Sequence, residues 1–516
     1  MRERFLMKYE MTGRTLNGFK PVLNRRVTIE ELQDAIVPDS MPDIERIVGC
    51  PALAFIRERE VTSSGVRISG SIRCEALYTA QENNKLYSIG VSLPFSYLFE
   101  ESKIDPQSVV LASAQVVFEE ARDVNPRKIS VKSSVSLLCR AFSPTEEVVH
   151  EGIKESEGIE YLAKQVFVSL PISAAAKSFT INDTVELPSN KAGIDDLLYF
   201  TASVSALDYK LIQNKAVIKG TLDVRLLYTP VNGEAPAATS FELPFSQIID
   251  MVGVDENCSL DLSVMLLGAD ITPQDSDGGA GKTLDVGFYL EAQTVAARIT
   301  QINPIVDAYS VSHPFSSSTE MLVLADMIVG ETGRVPVRES FECGRTIKSV
   351  LSLDVSVSPV ISGIDEGENV LDSTAAVLVI YIGDDGGIYS CTRQIGVVFA
   401  PSDDYSDTGV RTGVEDVTYA INPSGGLDMK FTALFSPVAT AHCENEVITN
   451  LETDAGGDVS DENAPSVVLR YPRKNESIWE IAKQHRTTIG AIQSANGLEP
   501  AEFAPEGRLL LIPKTK

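Results

Sequence analysis

From Ile68 to Tyr78, the residues Ile68, Gly70, Ile72, Cys74, Ala76 and Tyr78 alternate with Ser69, Ser71, Arg73 and Glu75. This period of two predicts a strand with one buried face. The alternation returns in Ile218, Gly220, Leu222, Val224, Leu226 and Tyr228, set against Lys219, Thr221, Asp223 and Arg225. Between Leu371 and Tyr381 both faces are apolar, as in a central strand. Each tyrosine is followed by turn chemistry that predicts a hairpin: Asn83-Asn84, Asn232-Gly233 and Asp384-Asp385-Gly386-Gly387.

These strands belong to a repeat. Shifted by 150 residues without a gap, the segment Pro38 to Asp105 matches the later chain at 13 of 68 positions, where composition alone gives roughly four or five. The matches include Leu77-Tyr78-Thr79 with Leu227-Tyr228-Thr229 and Leu93-Pro94-Phe95-Ser96 with Leu243-Pro244-Phe245-Ser246. A diverged third copy lies 303 residues on, with Ile347 in place of Ile44 and Tyr381 in place of Tyr78. A domain-sized period lets each copy bury its own core, so the array is tandem and not a solenoid. Short strands and frequent turns predict a mainly β fold: three sandwich-like domains at 1–150, 155–312 and 315–447.

Beyond them the periodicity is lost. Residues 448–466 read as an acidic, solvated linker carrying Glu452, Asp454, Asp458, Asp461 and Glu462 with Gly456-Gly457. The tail has a different pattern. Val467 to Tyr471 predicts a strand ended by Pro472, and Ser477 with Glu480 forms a capping box ahead of Ile478, Ile481 and Ala482. Thr487 or Thr488 caps a second short helix stopped at Asn496-Gly497, and Leu509 to Ile512 predicts a last strand. The order strand, helix, helix, strand makes a small α+β domain at 467–513.

With Ser477-Ile478-Trp479-Glu480-Ile481-Ala482, Asn496-Gly497-Leu498 and Gly507 to Pro513, this tail resembles a LysM domain. The family's first loop commonly reads Gly-Asp-Thr, where this chain has Asn475-Glu476-Ser477. The three β repeats, with their Leu-Tyr-Thr and Leu-Pro-Phe-Ser hallmarks, resemble the SPOCS domain, also known as DUF3794. Three such domains ahead of one LysM is the architecture of SipL-like spore coat morphogenetic proteins. The resemblance implies a non-enzymatic scaffold at the forespore surface, in the mother-cell cytoplasm. Its LysM would bind the coat-basement ATPase, stage IV sporulation protein A, and so attach coat layers. The alternative is a LysM that binds peptidoglycan or N-acetylglucosamine polymers of cortex or cell wall. The family's groove places the partner- or glycan-binding surface on Arg473, Lys474, Asn475, Glu476, Ser477 and Trp479, with Asn496, Gly497 and Leu498 opposite. Trp479, the chain's only tryptophan, is either a core anchor or an interface anchor, and Arg473 with Lys474 is either a solvated loop or part of the interface.

Charge and composition narrow the functions further. The 516-residue chain carries 44 Lys and Arg against 72 Asp and Glu, a net −28 that repels a phosphate backbone and argues against a nucleic-acid partner. The tail alone is +3, from eight basic residues and five Glu after Val467, leaving −31 for the rest. The run Phe5-Leu6-Met7 is too short for a signal-peptide core, and no window has the length of a membrane span. Seven scattered cysteines predict reduced thiols, with neither a zinc pair nor a disulfide framework. Gly278-Gly279-Ala280-Gly281-Lys282-Thr283 has the Gly-Lys-Thr of a phosphate loop but runs into a strand-like Leu284-Asp285-Val286, which predicts a hairpin tip. His442 and Cys443 are adjacent, so in a strand they face opposite ways. No catalytic set, metal site or cofactor site is expected.

Overall fold

In the computed structural model, residues 6–80, 85–231, 233, 235–276, 279–365, 368–401, 405–454 and 465–514 are described. The turn residues Asn83, Asn84 and Asn232, the loop residue Gly278 and most of the acidic linker lie outside them. The rest is overwhelmingly β, with two short helices near the C-terminus.

Each repeat builds two antiparallel sheets with one core between them. In the first, strand Gly65–Ala80 takes Ile44–Gly49 and Ala52–Thr62 on one edge and Leu86–Glu100 on the other. The facing sheet is Met11–Ile36, Lys128–Ile153 and Val109–Asn125, with Lys128–Ile153 in the middle. The alternating residues Ile68, Ile72, Cys74, Ala76 and Tyr78 pack onto Ile129, Val131, Val135 and Leu137 of that sheet. The second module repeats the plan. Ile194–Ile212, Lys215–Pro230 and Ala237–Asp250 face Val166–Glu186, Gly279–Ile302 and Ser259–Ser276. In the third, Glu368–Gly383 is central to Ile347–Val357, Ile361–Asp365 and Ile388–Phe399. Its long sheet is centred on Leu427–Asp454, flanked by Phe315–Val329, Gly333–Phe341 and Val410–Ile421. That central strand runs on to Asp454, later than the loss of periodicity suggests, because Ile448 and Leu451 are buried against Ile305 and Ala308.

The repeated motifs have physical reasons. Tyr78, Tyr228 and Tyr381 are fully buried. Tyr78 and Tyr228 donate to the carbonyls of Pro42 and Ala192 at 3.1 Å, and Tyr381 accepts from the Arg345 amide at 3.2 Å, always 36 residues upstream. The Phe of Leu-Pro-Phe-Ser stands opposite a glycine in register, Phe95 on Gly70 and Phe245 on Gly220. A Cβ at Gly220 would lie 2.6 Å from the Phe245 ring, and one at Gly70 would lie 2.5 Å from the Phe95 ring and closer still to the Phe55 carbonyl oxygen. The glycine thus makes room for the ring and, in the first module, for the neighbouring backbone too. The first long strand is interrupted within each module, by a bulge at Pro21/Leu23, by another at Pro171/Ser173, and by a full break between Val329 and Gly333.

The three modules meet as equivalents. One buried cluster gathers Val48, Leu198 and Leu351 with Leu77, Leu227 and Ile380, each triplet related by the repeat offsets, which makes the arrangement pseudo-threefold. A second joins Leu111 and Phe142, Ala174 and Val295, and Met327 and Val438. Asp261 of the second module is fully buried between Arg140 of the first, at 2.6 Å, and Arg411 of the third, at 2.5 Å. Burial alone would raise its carboxyl, but the Arg411 and Arg140 guanidiniums outweigh that and hold it down at about 2. The ring closes through the N-terminal strand Leu6–Lys8, which pairs with the end of Leu427–Asp454. The two inter-module connectors pair with each other as Ile159–Ala163 and Ile305–Ser310.

Candidate functional site

The C-terminal domain is a two-stranded sheet, Val467–Arg470 against Leu510–Pro513, covered on one side by helices α1 (Ile478–His485) and α2 (Ile489–Asn496). Ser477 caps α1 with a complete capping box to Glu480, and Thr488 caps α2 through the Ala491 amide. Asn475 adopts φ +59, so the left-handed turn of the first loop forms without glycine. Glu476 beside it is turned inward, with one oxygen 2.5 Å from Arg470 and the other accepting from the Arg473 amide at 2.8 Å. The loop after α2 is zipped to this first loop. Ile478 N–H donates to Glu502 O at 3.0 Å and Ala504 N–H to Glu476 O at 2.9 Å, around a bridge between Ser477 and Phe503.

The nine residues expected at the binding surface divide. Arg473, Lys474 and Asn475 are exposed. Ser477 is consumed as a cap, and Gly497, at φ +61, ends α2. Asn496 is buried and ties α2 to the last strand, donating to Leu511 O at 2.6 Å and accepting from Leu511 N–H at 2.7 Å. Leu498 packs at the edge of the domain core.

Trp479 is only 8% exposed, and it is neither purely core nor free. Its ring meets Tyr309 edge-on at 4.9 Å, and its indole N–H donates to Asp307 at 2.8 Å. Lys483, one turn further along α1, reaches both oxygens of Asp307 at 2.7 and 2.8 Å. Tyr309 donates to the Thr487 carbonyl at 2.6 Å. The domain is therefore docked through α1 onto the connector strand Ile305–Ser310. Sequence reasoning did not find Asp307 or Tyr309, because nothing in a segment some 170 residues away marks it as the seat of a helix.

A family model described as the SipL, SPOCS domain matches residues 43–121 and 193–272, and a LysM domain model matches 473–513. The chain has the SPOCS plus LysM architecture. No curated protein and no solved structure matches it. The SPOCS matches cover the strands that hold Tyr78 and Tyr228. The third module lies outside them but shares their topology and buried tyrosine. Sporulation and the spore coat follow from the SipL family, and SPOCS and LysM are non-catalytic, binding-type families; LysM domains bind peptidoglycan or proteins. No helix among the described residues is long and apolar enough to cross a membrane.

The other candidate chemistry resolves into structure. The Gly-Lys-Thr segment lies in the hairpin between Ser259–Ser276 and Gly279–Ile302, with Lys282 donating to the Lys191 carbonyl. Cys74 is buried in the first core, and burial pushes the Cys139 thiol up to about 12. Cys443 is half-buried and His442 exposed in one strand. Among the described residues no group of three or more His, Cys, Asp or Glu could hold a metal. Another perturbed acid, Asp354, is raised by burial and takes a 2.7 Å hydrogen bond from Tyr199 at a module junction, where it joins two domains.

Proposed function

We propose that this chain is a non-enzymatic spore morphogenetic scaffold whose SPOCS modules form one acidic body at 1–150, 155–312 and 315–447, and whose LysM binds a protein. The partner proposed is the coat-basement ATPase, stage IV sporulation protein A, met at the forespore surface in the mother-cell cytoplasm. The binding surface is the first LysM loop, led by Arg473, Lys474 and Asn475, with Gly497 and Leu498 across from it. One observation carries the choice of protein over glycan: both oxygens of Glu476 and the backbone of Glu476 to Ile478 are already used within the domain. A sugar chain needs such polar groups free, whereas a protein surface can read the exposed cations by charge and shape.

The test is retention of the full chain on insoluble peptidoglycan compared with a titration against the purified ATPase. Saturable ATPase binding, weakened in Arg473→Glu with Lys474→Glu and made less salt-sensitive, is expected. Retention on glycan alone would reverse the reading, and turnover of ATP or peptidoglycan by this chain itself would end the scaffold assignment.

A further inference from the structure

The LysM sheet has a second face that none of the described residues covers. Val468, Leu510 and Ile512 point into the domain core. On the opposite side, Val467, Leu469, Tyr471, Leu509 and Leu511 are 47, 60, 65, 40 and 41% exposed. Leu469 stands directly opposite Leu511 in the register, so two leucines lie side by side in water. A solvated sheet normally alternates apolar-in with polar-out, and this one is apolar on both sides. A contiguous apolar patch on so small a domain marks a surface that is covered in use.

The edge of the patch is cationic. Arg473 and Lys474 follow Tyr471 after a single proline, so two exposed cations stand at one end of the face. Arg508, just before Leu509, is turned to the helix side instead, donating to the Asn496 carbonyl at the end of α2 at 2.7 Å. Glu476, the carboxylate of the same loop, is turned away onto Arg470. The patch is thus continuous with the proposed binding loop, and it stays open while the Trp479 face is engaged with Asp307 and Tyr309.

We propose that this outer sheet face seats the LysM's protein partner, and that the partner presents an apolar surface edged by carboxylates. The proposal rests on the protein-binding reading above and states where on the domain the binding occurs. A glycan would meet aliphatic side chains and a single tyrosine, with little to hydrogen-bond its hydroxyls.

In the full chain, a photo-crosslinking side chain is placed at Leu469, at Leu511 and, as a control on α2, at Ser494. Sporulating cells are irradiated and the joined peptides sequenced. Adducts are expected from 469 and 511 but not from 494, to a protein other than this chain, at a peptide where apolar residues are flanked by Asp or Glu. In parallel, Leu469→Thr with Leu511→Thr, which keeps strand-forming side chains, should bind the purified ATPase at least about tenfold more weakly. Its circular dichroism and Trp479 emission should match the parent chain. Unchanged ATPase affinity together with no adducts at 469 and 511 overturns the face and leaves the protein-binding reading standing. Failure of the parent chain to bind the ATPase defeats that choice of partner, and the adducts then decide the face alone. Adducts to glycan, to a second copy or to residues 455–464 of the same chain, or none at all, overturn the proposal.

Discussion

At the residue scale, single polar atoms in apolar surroundings carry much of the specificity. Tyr228 fills the second core and donates to the Ala192 carbonyl. Tyr228→Phe keeps the ring and strands that carbonyl, so a loss of about 1 to 2 kcal/mol is expected in urea unfolding. Asp261 carries larger stakes, because removing it leaves Arg140 and Arg411 facing each other at the junction of three modules. Asp261→Ala should cost about 3 to 5 kcal/mol. The pH dependence follows from its lowered carboxyl. A folded value of about 2 lies below the unfolded value near 3.9, so the stabilisation is complete above about pH 4 and disappears as pH falls through 2. An acid titration of unfolding should show that loss in the parent chain, and its contribution should be missing in the Asp261→Ala chain.

At the element scale, the strands were readable because the period of two survives where one face is buried. From Ile68 to Ala76 and from Ile218 to Leu226 the apolar positions are all buried and the polar ones, Ser71 apart, are not. Leu77 and Leu227 are buried on the other face, where the modules meet. The pairing of Gly70 with Phe95 and of Gly220 with Phe245 was present in the sequence only as two separate repeated motifs; the register shows that one exists for the other. Gly220→Ala would drive a methyl to 2.6 Å from the Phe245 ring, and a destabilisation of about 1 to 3 kcal/mol is expected by thermal unfolding. Adding Phe245→Leu should recover part of it. The helix caps at Ser477 and Thr488 were equally readable, since a cap is chemistry within three residues. The long strands of the outer sheets were less so. Met11–Ile36 and Lys128–Ile153 pair across some 90 to 140 residues, and no local pattern pairs them.

At the scale of the whole molecule, the three modules and the LysM form one connected body. Asp307 is the hinge of that connection, because it alone receives both Trp479 and Lys483. Asp307→Ala should leave the LysM folded and release α1. As Trp479 is the only tryptophan, its emission should shift to the red and become more open to acrylamide quenching. Unchanged emission would mean that packing on Tyr309 holds the domain without the carboxylate.

By itself the sequence determined what depends on neighbours along the chain: the alternation of the strands, the domain-sized repeat, the caps and stop signals of the LysM helices, and the charge difference between body and tail. Local sterics and hydrogen bonding act over a few residues, and a repeat shows by comparison with itself. Only the tertiary structure decided that equivalent residues of three modules share one core, that Asp261 is held by arginines of two other modules, and that Trp479 turns inward onto Asp307. Those contacts join segments up to some 340 residues apart. Their partners are chosen by shape and by the need to satisfy a buried charge, and neither leaves a periodic trace in either segment.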